Sequence, residues 1–91
     1  MSVIEQTEEL VEIEELLVDQ FDLILYNDDV NTFDHVIDLL MKYCDHSSIQ
    51  AEQCAFIVHH NGKCQVKRGE FNDLKPICEA LLEGGLTAKI E

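Results

Sequence analysis

Leu23-Ile24-Leu25-Tyr26-Asn27-Asp28-Asp29 is the stretch that decides how this chain folds. Counted back across Asp22 to Phe21, the segment is short and rich in Leu and Ile. That is the pattern of a strand, and Asn-Asp-Asp stops it. Asn31 or Thr32 can then accept hydrogen bonds from the free N–H groups of a helix start, where Asp34 also suits the positive end of the dipole. Phe33, Val36, Ile37, Leu40, Tyr43 and Cys44 recur at i, i+3, i+4 and i+7 as one apolar stripe. A strand over 21–26 therefore feeds a helix through a turn built of acidic and amide side chains.

Downstream, His46-Ser47-Ser48 interrupts the helix, and Ser47 or Ser48 caps another, with Glu52 near the capping-box position. Ile49, Ala51, Cys54, Ala55 and Val58 give this second helix a small-residue apolar face, so it is expected to pair with the first as a hairpin. Asn61-Gly62 ends it, Gly62 being free to take positive φ. A strand follows over Lys63 to Arg68, with Cys64 and Val66 on one face and Gln65 and Lys67 on the other, and Gly69 breaks it. Asn72 or Asp73 is the expected cap of a third helix that has Pro76 near its start and Ile77, Cys78, Leu81 and Leu82 on its buried side. Gly84-Gly85 ends that helix, and Leu86 to Ile90 alternates as a closing strand. The order β-α-α-β-α-β predicts an α+β sandwich, a three-stranded antiparallel sheet covered by three helices.

At 91 residues the chain holds one domain. Its folded part is expected over 20–91. Residues 1–19 carry Glu5, Glu8, Glu9, Glu12, Glu14, Glu15 and Asp19 with no Lys or Arg, so an acidic, largely flexible extension is expected there. The formal net charge of −13 repels nucleic-acid phosphates and anionic lipid, leaving ammonium groups, basic peptides and basic protein surfaces as partners. No apolar run nears the roughly 18 residues of a membrane span, and the first residues lack a secretory signal. A cytoplasmic monomer is expected. Cys44, Cys54, Cys64 and Cys78 are then reduced thiols packed as small hydrophobes. Without a C-x-x-C pair, and even with His35, His46, His59 and His60 counted in, neither a metal nor another cofactor is expected.

On pattern alone Asn27-Asp28-Asp29 reads as a capped turn. A second reading is chemical. An ammonium group has three N–H donors and no acceptor, so a site for it needs about three acceptors, one of them anionic. The Asn27 carbonyl, the Asp28 carboxylate and a neutral His59 ring nitrogen meet that need, provided the fold sets the turn beside the end of the second helix. Protonation would turn that imidazole from acceptor to donor and add a repelling charge, so binding that depends on it weakens in acid.

Leu23-Ile24-Leu25-Tyr26-Asn27-Asp28-Asp29, Val36-Ile37-Asp38-Leu39-Leu40 and Ala55-Phe56-Ile57-Val58-His59 together resemble the ClpS family, over residues 21–91. Those proteins are adaptors that recognise N-end-rule degrons and hand them to a Clp-type AAA+ ATPase–protease. The resemblance implies a ClpS-like fold and no enzymatic activity. It assigns the substrate's α-amino group to Asn27, Asp28 and His59, and the first side chain to an apolar pocket of Asn31, Phe33, Val36, Ala55, Val58 and Leu86. It also implies docking on the N-terminal domain of a ClpA- or ClpC-type unfoldase, with the acidic extension aiding substrate hand-over. The sequence departs from the family at Phe33 and Ala55, where Met is usual, and at Asn31-Thr32, where Thr-Pro is usual. Two alternatives stand beside this reading. One is an interaction domain of the same shape without degron binding, like the C-terminal domain of the ribosomal stalk protein. The other is a small thiol or metal protein that uses the cysteines.

Overall fold

A computed structural model describes residues 20–91, and the expected acidic extension over 1–19 lies outside the described residues. The elements in order are β1 (Phe21–Tyr26), α1 (Phe33–Tyr43), α2 (Ser48–Asn61), β2 (Lys63–Gly69), α3 (Phe71–Glu83) and β3 (Thr87–Ile90). The strands form one antiparallel sheet in the order β2-β1-β3. This is the α+β arrangement expected from the sequence.

Period-2 alternation sends Leu23 and Leu25 of β1 into the core, where they meet Leu40 of α1 and Leu74 and Leu81 of α3. These five leucines are fully buried, each contributing about 1.5–3 kcal/mol of apolar burial. The small face of α2 packs in beside them, with Ala51, Cys54, Ala55 and Val58 all buried. Burial pushes the Cys44 thiol up to about 11, against a weaker opposing pull from Lys67, so Cys44 serves as a protonated apolar residue.

Thr32 caps α1, its side chain accepting from the His35 N–H at 3.1 Å, and Ser47 caps α2 by accepting from the Gln50 N–H at 3.1 Å. Such caps contribute about 1 kcal/mol each. Because the cap is Ser47, the position three residues on is Gln50, and Glu52 falls beyond the capping box. Ile49 stands 66% exposed, off the buried face on which the apolar pattern set it.

The third helix differs most from expectation. It starts at Phe71, before Asn72 and Asp73, and its N-cap Glu70 makes no side-chain cap bond. Pro76 therefore lies inside the helix and leaves the Asn72 carbonyl without its i+4 donor. Both residues are exposed, so water can take that carbonyl. Leu74 replaces Leu82 on the buried side, Leu82 being 48% exposed. Leu86 belongs to the helix exit, where its N–H reaches Leu81 O at 3.0 Å, and β3 begins one residue later.

The alternation expected along β2 is kept, with Val66 buried and Gln65 exposed, but the pairing with β1 is interrupted by a bulge. Leu23 pairs with Lys67 and Ile24 with Gln65, so Val66 has no partner on β1. His46 takes up the freed group: its Nε2–H donates to Val66 O at 2.7 Å, while the ring itself is buried. The turn that aims His46 inward depends on Asp45 in the left-handed region at φ 62°, from which the His46 N–H returns to Leu40 O. His46→Ala leaves a buried carbonyl without a donor and should lower the unfolding free energy by about 1–3 kcal/mol in urea denaturation. Full stability in that variant would mean the bulge does not depend on the ring.

Candidate functional site

The geometry starts where β1 runs out. The Asn27 N–H donates to Gly62 O at 2.9 Å, and Gly62 is the left-handed C-cap of α2 at φ 94°. This bond sets the Asn-Asp-Asp turn beside the last turn of α2, which carries Val58 and His59. The juxtaposition that the chemical reading required is therefore present.

Asp28 closes the turn onto itself. Its Oδ1 accepts from the backbone N–H groups of Val30 at 3.0 Å and Asn31 at 3.1 Å, and from Asn31 Nδ2 at 3.0 Å. Among the described residues its Oδ2 accepts only the same Asn31 amide, also at 3.0 Å. A carboxylate oxygen offers about two lone pairs, so Oδ1 is saturated and Oδ2 keeps room for one more donor. Partial desolvation raises the Asp28 pKa, but the Val30 and Asn31 donors outweigh it and hold the carboxyl below its ordinary value.

Asn31 does a second job. Its Nδ2 also donates to Gly85 O at 2.8 Å, and His35 Nε2–H donates to the neighbouring Gly84 O at 2.7 Å. Two side chains near the start of α1 thus hold the α3–β3 turn, which carries Leu86. Neither link has a signal in the sequence pattern, because each joins residues about fifty positions apart.

Between these elements lies a cavity lined by Leu25, Tyr26, Asn27, Asp28, Asn31, Phe33, Val36, Ala55, Val58, His59 and Leu86. All nine residues singled out from the sequence are in it. Leu25 and Tyr26 were not singled out, although their position directly before Asn27 could have pointed to them. Asp29 is exposed and does not line the cavity. Asn27, Asp28 and His59 bring the acceptors, while Phe33, Val36, Ala55, Val58 and Leu86 bring apolar surface. The Phe33 ring stands edge-on to the His59 ring, centroids 5.7 Å apart. At the cavity's strand side the Tyr26 hydroxyl donates to Glu91, and that bond, with desolvation and the carboxylate's charge, raises the phenol pKa.

The protein is thus a small α+β domain with an acceptor-rimmed apolar cavity between the strand-to-helix turn and the end of α2. The family described as ATP-dependent Clp protease adaptor protein ClpS matches residues 18–89. The ATP-dependent Clp protease adapter protein ClpS of Thermosynechococcus vestitus is 38% identical over 68 residues, covering 74% of this chain and 72% of that protein. Its namesake from Shewanella denitrificans is 33% identical over 60 residues, covering 66% and 59%. The chain belongs to the ClpS family of Clp protease adaptors, which are not themselves enzymes. A solved structure of Agrobacterium tumefaciens ClpS2 bound to L-phenylalaninamide has the same fold, with a TM-score of 0.69 at 20% identity over 80% of this chain and 95% of that one. Among the described residues no helix is long and apolar enough to cross a membrane.

The lowered Asp28 pKa has a definite sign. Its ionised form stabilises the fold above the unfolded-state value, and that contribution is lost as pH falls through the folded-state value. A carboxyl-carbon NMR titration should place the Asp28 midpoint below 3.8. In Asn31→Ala, which removes one of its donors, the midpoint should move up. An unchanged midpoint in that variant would show that the side-chain amide does not hold the carboxylate.

Proposed function

We propose that this protein binds free N-termini whose first residue is bulky and apolar, and delivers the attached substrates to a Clp-type AAA+ ATPase–protease. The observation that carries the reading is the convergence of Asn27, Asp28 and His59 on an apolar cavity. An α-amino group and the first side chain leave the same carbon, so a site that reads both must set its acceptors directly beside its apolar walls. In this proposal the free lone pair of Asp28 Oδ2, the Asn27 carbonyl and a neutral His59 nitrogen each accept one ammonium N–H. Phe33, Val36, Ala55, Val58 and Leu86 then surround the side chain. The family supports the hand-over to a Clp protease, and the ligand of the Agrobacterium protein, an amino-acid amide with a free amine, supports the chemistry. The ATPase partner would be of the ClpA or ClpC type, bound through its N-terminal domain by a monomeric adaptor in the cytoplasm, with residues 1–19 engaging the unfoldase.

Fluorescence anisotropy with peptides beginning Phe, Leu, Ala and acetyl-Phe tests the first half. Phe and Leu peptides should bind, and the Ala and acetylated peptides should not. Each charge-assisted bond to the ammonium is worth roughly 1.5–3 kcal/mol, so Asp28→Ala or His59→Ala should weaken binding about tenfold or more. Equal binding of the acetylated peptide would overturn the reading and favour an interaction domain indifferent to the amine.

Side-chain choice rests with Phe33 and Ala55. The enclosed space is about 50 Å³, against roughly 150 Å³ for an apolar cavity that holds benzene. Phe33, 43% exposed, is the most exposed of the apolar walls and the one placed to move aside for an aromatic first residue. Phe33→Met should improve aromatic first residues relative to Leu, and combining it with Ala55→Met should change the ranking of Phe, Tyr, Trp and Leu peptides. Identical rankings across these variants would remove both residues from the pocket's selectivity.

A further inference from the structure

Two cysteines outside the pocket walls are brought together by the α2–β2 connection. Cys54 sits on the buried face of α2 and Cys64 near the start of β2, ten positions on. Their Sγ atoms lie 2.8 Å apart. Both also approach the Gln65 carbonyl, at 3.8 Å from Cys54 and 3.5 Å from Cys64. A disulfide needs about 2.05 Å between its sulfurs, so bond formation requires them to close by less than an ångström. Among the described residues no group of three or more His, Cys, Asp or Glu gathers to hold a metal ion, which leaves the pair to thiol chemistry.

We propose that Cys54 and Cys64 form an oxidisable dithiol, a modification site that peroxide converts into an intramolecular disulfide. The two sulfurs differ in access: Cys64 is half-buried and Cys54 buried. Cys64 therefore meets the oxidant first. Its thiolate attacks one peroxide oxygen, the O–O bond breaks, and hydroxide leaves, giving a sulfenic acid on Cys64. The Cys54 sulfur then attacks the Cys64 sulfur; the S–O bond breaks, and the oxygen departs as water with the Cys54 proton. The sum is two thiols and one peroxide giving one disulfide and two waters. Burial, reinforced by Cys64, pushes the Cys54 thiol well up, which keeps it protonated and unreactive until the partner sulfur is activated. The bond fastens α2 to β2 at the residue next to Ala55, one helical turn before Val58.

The test uses the reduced full-length chain, treated with one equivalent of hydrogen peroxide and then analysed by alkylation and peptide mass mapping. The expected product is lighter by two mass units, has two alkylatable thiols where the sequence has four cysteines, carries a Cys54–Cys64 link, and reverts with dithiothreitol. Cys54→Ala should stop at a sulfenic acid on Cys64 that dimedone traps, and Cys64→Ser should form no intramolecular link. Four thiols remaining, a link through Cys44 or Cys78, or over-oxidation of Cys64 with Cys54 still alkylatable would each overturn the proposal.

Discussion

The hydrogen bond from the Asn27 N–H to Gly62 O joins two ends that the chain order keeps apart: the exit of β1 and the last turn of α2. It forms because Gly62 adopts a left-handed conformation that closes the helix and turns its carbonyl toward the strand. Without it the Asn-Asp-Asp turn would be a connection apart from His59. With it, three acceptors from two segments share one rim. The apolar walls follow from the same placement, since Ala55 and Val58 lie on the α2 face next to His59, and Phe33 and Val36 follow the turn on α1.

A second set of bonds makes that rim stiff. Asn31 spends both hydrogens of its amide, on the Asp28 carboxylate and on Gly85 O, while His35 holds Gly84 O. The carboxylate is thereby pre-aimed, with one oxygen fully engaged and the other left a vacant lone pair. On the proposed function, little ordering would remain to be done when a ligand arrives.

How much of this was legible in the sequence depends on whether the deciding force is local. β1 ends where Asn27 says it ends, and the Thr32 and Ser47 caps follow from side chains within three residues of the bonds they make. The start of α3 was hidden because Glu70 makes no cap bond, while Asn72 and Asp73 both carry capping chemistry and lie inside the helix. Ile49 and Leu82 fit a helical apolar pattern, yet among the described residues no neighbouring element covers them. The bulge at Val66 and the buried His46 that satisfies it are a single long-range event with no sequence signature. The site was half legible: the chemistry of Asn27, Asp28 and His59 could be read, but their meeting depends on the Gly62 carbonyl, and only the resemblance to ClpS pointed to it beforehand.

The edge-on contact between Phe33 and His59 makes one wall serve two tasks. The ring that lines the apolar side of the cavity also rests against the imidazole at its rim. On the proposed function, moving Phe33 outward to admit a larger group would change the support of His59, and shape and charge recognition would be thermodynamically coupled. A double-mutant cycle across the two rings would show a nonzero interaction energy, and affinities measured for isolated side-chain and amine fragments would not add up to that of the whole terminus.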